Sequence, residues 1–339
     1  IADGPVQRQP TTHQQGRAMT FPDRIKLFSR LGMIGLSLSL LCSLPDIASA
    51  QASADQTETP SGIESPFLWI IESEKPQYLL GTIHVPDKRV LSLHPAIDRV
   101  MSEADELYVE LNPEDQLSQL KALILPEGQS TSDVLAPEVL KRIDSQLSSI
   151  NANWSHEVLP SFHVWAWPLI LPSFMAQQRD PSSPVMDAKL VQLAQERKLA
   201  VKSLENPKTQ LKEFGALSKE EQNLFLEQTL DDLESQAEKG ESSLDQLIDV
   251  YLEGDGQELK RLFMEEFETD ESNSALNKKV MDAILFKRNE LMAKVIADAI
   301  KENPETSHIF AAGTAHFVVS PSVVDLLRKS GLKVSRVAP

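Results

Sequence analysis

Two segments of the chain repeat one pattern. Tyr78-Leu-Leu-Gly81-Thr-Ile-His84-Val85 and Ile309-Phe-Ala-Ala-Gly313-Thr-Ala-His316-Phe317 each carry an apolar run, then Gly-Thr-x-His, then more apolar residues. A lone histidine after a strand is ordinarily a loop residue. Two copies at equivalent points of two similar units make His84 and His316 candidates for one shared site. Imidazole is the commonest metal ligand in proteins, and a divalent metal with an open position can activate water for hydrolysis. Carboxylates would complete such a site. Glu110 stands in the otherwise apolar run 107–111, where a buried charge needs a partner, and Glu205 directly follows the apolar run 199–204.

The elements around these residues explain how they could meet. Each motif ends a strand-like run and is followed by a helix-like stretch (96–104 and 322–329), then by another strand (107–111 and 333–337). In open α/β sheets, ligands sit beyond the carboxyl ends of the strands. Parallel strands would bring His84, Glu110, Glu205 and His316 to one edge. Gly81 and Gly313 would allow close backbone approach, or supply a positive φ at the strand exit. With no thiolate ligand, Mn²⁺, Co²⁺, Fe²⁺ and Zn²⁺ all remain open, and a carboxylate left off the metal could serve as general base.

Other polar residues divide between chemistry and structure. Arg288-Asn289 lies early in an apolar-periodic helix over 273–301; such an arginine binds a substrate carboxylate, stabilises an oxyanion, or sits on a solvated face. Asp187 opens the helix 188–197 and reads as its N-cap. His94 precedes Pro95 as a neighbour of a helix cap. His156, His163 and His308 read as structural or exposed, and Trp165 and Trp167 with Phe162 as the core of a helix.

The chain has 339 residues, 33 basic and 50 acidic, for a formal net charge of −17. So acidic a surface disfavours nucleic acid and anionic lipid head groups. Residues 1–18 precede Met19 and read as an upstream extension. Residues 19–50 carry Arg24, Lys26 and Arg30, then the apolar run 31–44, then Ala48-Ser49-Ala50. That order is a secretory signal peptide, with an apolar run too short for a comfortable membrane span. Cys42, the one cysteine, lies inside it, so the processed chain would have neither disulfide nor thiol nucleophile. Residues 51–65 read as a disordered linker, and 66–339 as one domain. Strands open that domain with a hairpin (67–71 and 77–82). Helical periodicity fills 137–150, 160–178, 186–197, 219–236, 242–252 and 257–268, and the strand 199–204 lies among them. The expected architecture is α/β: a central mixed sheet flanked by helices, built from two strand–Gly-Thr-x-His–helix–strand halves with a helical insertion between them.

The ordered set Tyr78-Leu-Leu-Gly81-Thr-Ile-His84, Tyr108-Val-Glu110-Leu, Met186-Asp187, Leu204-Glu205-Asn-Pro-Lys-Thr-Gln210-Leu, Arg288-Asn289 and Ala312-Gly313-Thr-Ala-His316 resembles the TraB/GumN family over about residues 66–338. That family includes the TIKI metalloproteases and the pheromone-shutdown proteins of the PrgY type. The resemblance implies the fold of erythromycin esterase and the haem-binding ChaN proteins. It implies an active site of His84, Glu110 and His316, with Arg288 and Asn289 nearby. It also implies Mn²⁺ or Co²⁺ as the metal and peptide-bond cleavage as the reaction. The first expectation is therefore an exported, periplasmic or secreted, metal-dependent peptidase acting on a peptide or protein. The alternatives are a peptide- or haem-sequestering protein without turnover and an accessory factor in polysaccharide export.

Overall fold

A computed structural model describes residues 62–239, 243–268 and 274–338. The expected upstream extension, the signal peptide with Cys42, and the linker as far as residue 61 lie outside the described residues. The last residues assigned to that linker are packed: Ile63 is buried, and Glu64 donates its amide to Leu252 O at 2.8 Å. The folded unit thus begins no later than residue 62.

Six strands form one mixed sheet in the order β4-β3-β5-β2-β1-β6. They are β1 (Leu68–Ile71), β2 (Gln77–Thr82), β3 (Glu106–Val109), β4 (Ala200–Ser203), β5 (His308–Gly313) and β6 (Val334–Arg336). The expected hairpin is present, with β1 antiparallel to β2. β2, β5, β3 and β4 run parallel to one another. β1 is antiparallel to β6 also, so β6 runs the same way as β2. All six residues of β2 and all six of β5 are buried, as expected of central parallel strands covered on both faces.

Each Gly-Thr-x-His copy leads through helix to a strand that returns in the same direction, yet the copies are not equivalent. β3 lies beyond β5 on one side, and β6 lies beyond β1 on the other. Register adds an offset: Gly81 pairs with Ala312, and Thr82 with Gly313. The two motifs are therefore staggered by one residue.

Helices flank the sheet around one continuous apolar core. Helix Met186–Arg197 packs on β3 and β4. Helix Pro137–Ile150 has the expected bounds, with proline at its first position. The expected helix 160–178 is shorter. Phe162 pairs with Ile124 in a β-bridge, a 3₁₀ turn follows at Val164–Ala166, and the α-helix runs Trp167–Arg179. Phe162, Trp165 and Trp167 are buried, as expected of core. The expected helix 273–301 is helical throughout its described part but contains a π turn, Asp282–Phe286, between Ser274–Met281 and Lys287–Glu302.

Candidate functional site

The parallel strands deliver their polar residues to one edge. β2 ends at Thr82, and His84 lies two residues beyond it. β5 ends at Gly313, and His316 sits on the short helix Ala315–Val318. β3 ends at Val109, so Glu110 lies one residue beyond the strand. Glu205 N donates to Glu110 O at 3.1 Å, which continues the β3–β4 ladder past its end. His84, Glu110, Glu205 and His316 are all buried here.

Glu110 is the centre. Its Oε1 lies 3.3 Å from His84 Nε2 and 3.8 Å from His316 Nε2, and accepts the Gly313 amide at 2.8 Å. The two imidazole nitrogens are therefore no more than about 7.1 Å apart. Glu110 Oε2 accepts from Arg288 Nη2 at 2.6 Å and, at a longer 3.5 Å, from Gln210 Nε2.

Arg288 does not lie on a solvated face; it is among the largest fully buried side chains. Its Nε donates to both Glu205 oxygens at 3.0 Å, its Nη2 to Glu205 Oε2 at 2.6 Å, and its Nη1 to Ile284 O at 3.0 Å. Ile284 belongs to the π turn, a feature frequent at functional sites. The guanidinium thus compensates two buried carboxylates.

Each histidine is fixed from behind. Asp187 is a correction to the capping role: the N-cap of its helix is Val185, and Asp187 points inward. Its Oδ2 lies 2.8 Å from His84 Nδ1, and its Oδ1 accepts the Thr82 hydroxyl at 3.1 Å. Asn289 Oδ1 lies 2.6 Å from His316 Nδ1. The Asn289 amide nitrogen donates to Pro321 O at 2.8 Å, so Oδ1 accepts from the ring N–H. Both Nδ1 atoms are occupied, and both Nε2 atoms are turned toward Glu110.

The electrostatics follow from this packing. Burial alone would lower His84, but Asp187, with Glu110 assisting, outweighs it and pushes the imidazole up to about 10. Burial raises Glu110, yet Arg288 and the two histidines hold it well below the carboxylate range. Burial raises Glu205, and Arg288 opposes that rise only in part. Arg288 itself is held firmly protonated by the same carboxylates, against burial.

Gly81 acts by proximity. Neither Gly81 nor Gly313 has a positive φ. A Cβ on Gly81 would come within 2.8 Å of Phe67 Cβ and of Thr314 Oγ1. Tyr251 OH donates to Gly81 O at 2.8 Å. The other histidines stay structural: His94 is an N-cap, His156 bonds Asp144, His163 stacks on Trp165, and His308 bonds Gln77.

Asp187, Gln210 and Tyr251 were not assigned to the site from sequence. A signal for Asp187 was present. It stands three, four and seven residues before the buried Leu190, Val191 and Ala194, which puts it on the apolar face of its helix.

A family model described as the TraB/PrgY/gumN family matches residues 67–336. The chain belongs to that family. This TraB/PrgY/gumN member is 26% identical to Metalloprotease TIKI1 of Danio rerio over 330 residues, covering 84% of this chain and 65% of the relative. It is 29% identical to a Metalloprotease TIKI homolog of Amphimedon queenslandica over 319 residues, covering 81% and 62%. It is 24% identical to Metalloprotease TIKI1 of Homo sapiens over 352 residues, covering 88% and 68%. The chain thus spans about two thirds of the length of these relatives. No solved structure matches it.

Proposed function

We propose that this TraB/PrgY/gumN member is a metal-dependent peptidase in which His84, His316 and Glu110 hold one divalent cation, Mn²⁺ or Co²⁺ ahead of Zn²⁺ or Fe²⁺. One observation carries the reading: two imidazole Nε2 atoms face a single carboxylate oxygen, and each ring is pinned through Nδ1. Metal-ligating histidines are commonly held in this way. Among the described residues, no three His, Cys, Asp or Glu side chains already close round a cation position. The donor chemistry nevertheless fits. Two imidazole Nε2 atoms and a Glu110 carboxylate that Arg288 and the histidines keep ionised are nitrogen and oxygen donors of the kind that these divalent metals accept. The names of the relatives point the same way.

A cation bound there would supply Lewis acidity toward a peptide carbonyl. The protein's own groups would do the rest. Asp187 and Asn289 would orient the two rings, and Gly313 N would hold Glu110 Oε1. Glu110, kept ionised, suits a ligand better than a general base, because a weakly basic carboxylate is a poor proton acceptor near neutral pH. Glu205, weighed as a ligand from sequence, has both oxygens engaged by Arg288 and serves here as its counter-charge. Arg288 would keep Glu110 ionised and brace Glu205 rather than grip substrate.

The substrate in this reading is a peptide or protein met outside the cytoplasm, after cleavage near Gln51 leaves one domain that begins no later than residue 62. No helix among the described residues is long and apolar enough to cross a membrane. We also relate the fold to that of erythromycin esterase and the ChaN proteins, with the strand–Gly-Thr-x-His–helix–strand unit recurring in both halves.

The test is a peptide-library screen with the protein purified from Gln51 onward, stripped by chelator and reloaded with Mn²⁺, Co²⁺ or Zn²⁺. Turnover should require metal and vanish in His84→Ala and His316→Ala. A wild-type protein that binds peptide yet cleaves nothing under any metal would overturn the peptidase reading in favour of sequestration.

A further inference from the structure

A second concave site lies away from the Glu110 cluster. It is a cavity of about 340 Å³, within the size range of small-ligand sites. It is bounded by β1, β6, the start of helix Gly256–Glu268 and the segment leading into helix Val323–Lys329. Trp69 and Phe317 form an apolar wall, with ring centroids 5.4 Å apart. Arg328 and Arg336 supply the charge.

These two arginines differ from most others in the protein. Arg89, Arg142, Arg179, Arg197, Arg261 and Arg288 all pair with carboxylates. Arg328 and Arg336 make no ion pair among the described residues and are anchored by backbone carbonyls instead. Arg336 Nη2 donates to Pro66 O at 3.2 Å and to Gly254 O at 3.0 Å. Arg328 Nε and Nη2 both donate to Val334 O, at 3.0 and 2.7 Å. Those bonds hold each guanidinium in place while leaving Nη1 without a hydrogen bond among the described residues. Arg336 also lies flat against aromatic surface, 4.4 Å from the Phe67 ring and 5.4 Å from Trp69. Arg336 is exposed at the cavity rim, and partial desolvation there lowers it slightly more than the nearby Asp255 raises it.

The acids in the wall act on the two arginines only through space, Asp325 on Arg328 and Asp255 on Arg336, and spend their hydrogen bonds on other groups. Asp325 accepts the Ser322 amide and the Ser320 hydroxyl, and Asp255 accepts the amides of Gln257 and Glu258. In a chain of net charge −17, two anchored arginines that make no direct ion pair among the described residues, beside an aromatic wall, form a place for an incoming anion with an apolar body.

We propose that this cavity binds an organic carboxylate, with the carboxylate on Arg328 and Arg336 and the apolar body against Trp69 and Phe317. A free small acid and the C-terminal residue of a peptide present the same groups. The site also touches the histidine cluster indirectly. Ser320 and Ser322 line it, and the carbonyl of Pro321 between them holds Asn289, which holds His316.

The test is calorimetry and tryptophan fluorescence with N-acetylphenylalanine, its amide, and a tetrapeptide ending in free phenylalanine. Each is titrated into both metal-stripped and metal-loaded protein. The acid should bind equally in both forms, and the amide about tenfold more weakly, the scale of one charged hydrogen bond. Arg336→Gln and Arg328→Gln should each weaken the acid by a similar factor while their melting curves stay close to wild type. Trp69→Phe should remove the fluorescence change and keep the heat. Tighter binding of the tetrapeptide would identify a peptide C-terminus as the occupant, and equal binding a small acid. The proposal fails if acid and amide bind alike, if neither binds at a concentration of about 10 mM, if the arginine variants bind as wild type, or if binding requires metal.

Discussion

Asp187 Oδ2 lies 2.8 Å from His84 Nδ1, and both side chains are buried. The carboxylate fixes which ring nitrogen faces Glu110. Asp187→Asn keeps the volume and removes the charge. It should lower metal affinity by about 10- to 100-fold, the usual cost of losing such a partner. The check is competitive titration followed by the visible spectrum of bound Co²⁺, beside a melting curve of the metal-free protein. An unchanged affinity would show that Asp187 does not orient the ring.

The pH response of the metal-free protein has a defined sign. His84 is pushed up to about 10 in the fold, above its unfolded value of about 6.5. Its contribution to stability is therefore complete below about pH 6.5 and is lost as pH rises through about 10. The metal-free protein should lose melting temperature over that window. Loading metal at pH 7 should release a proton from His84, so apparent affinity should climb with pH. Calorimetry in buffers of different ionisation enthalpy reads the released proton directly. Loading without release would contradict a charged His84.

Arg288 neutralises Glu110 and Glu205 together. Arg288→Met should remove the cation that both buried carboxylates share, leaving Glu110 only its remaining partners, and cost about 3–5 kcal/mol. Arg288→Lys keeps the charge but lacks the planar fork that reaches both acids, so it should recover only part of that loss. Urea unfolding midpoints decide the matter. A wild-type midpoint in Arg288→Met would mean that the carboxylates are not ionised together.

Gly81→Ala places a methyl group 2.8 Å from Phe67 Cβ and from Thr314 Oγ1, a hydroxyl already bonded to Thr82 O. Overpacking of this kind costs about 1–3 kcal/mol, and here it also disturbs the residue two before His316. Gly215→Ala is the control, since its methyl would meet only Trp165 Nε1, at 4.0 Å. Equal thermal stability of the two variants would refute the close-approach role of Gly81.

The strands and the four convergent side chains were legible because apolar runs buried on both faces leave few readings, and polar residues just past such runs stand out. Asp187 was misread for a physical reason. An acid near a helix start usually caps it, and the histidine that draws this one inward is 103 residues away. The fork of Arg288 likewise reaches partners 83 and 178 residues distant. The π turn inside the helix 273–301 was not legible because no Gly or Pro marks it in the sequence. The 3₁₀ turn before Trp167 was hidden because its residues are apolar whichever way the chain winds.

β5 lies between β2 and β3, and Gln77 meets His308 across 231 residues of chain. Closing so long a loop costs entropy before the contacts repay it, and such pairings form late in folding. Synthesis delivers β2 and β3 first, so the gap between them stays open until β5 has left the ribosome. His316 and the Gly313 amide enter with that last inner strand. The cluster around Glu110 therefore waits for β5: until residues 308–316 are in place, His84 has Asp187 and Glu110 beside it but no second imidazole, and chemistry that needs both cannot begin.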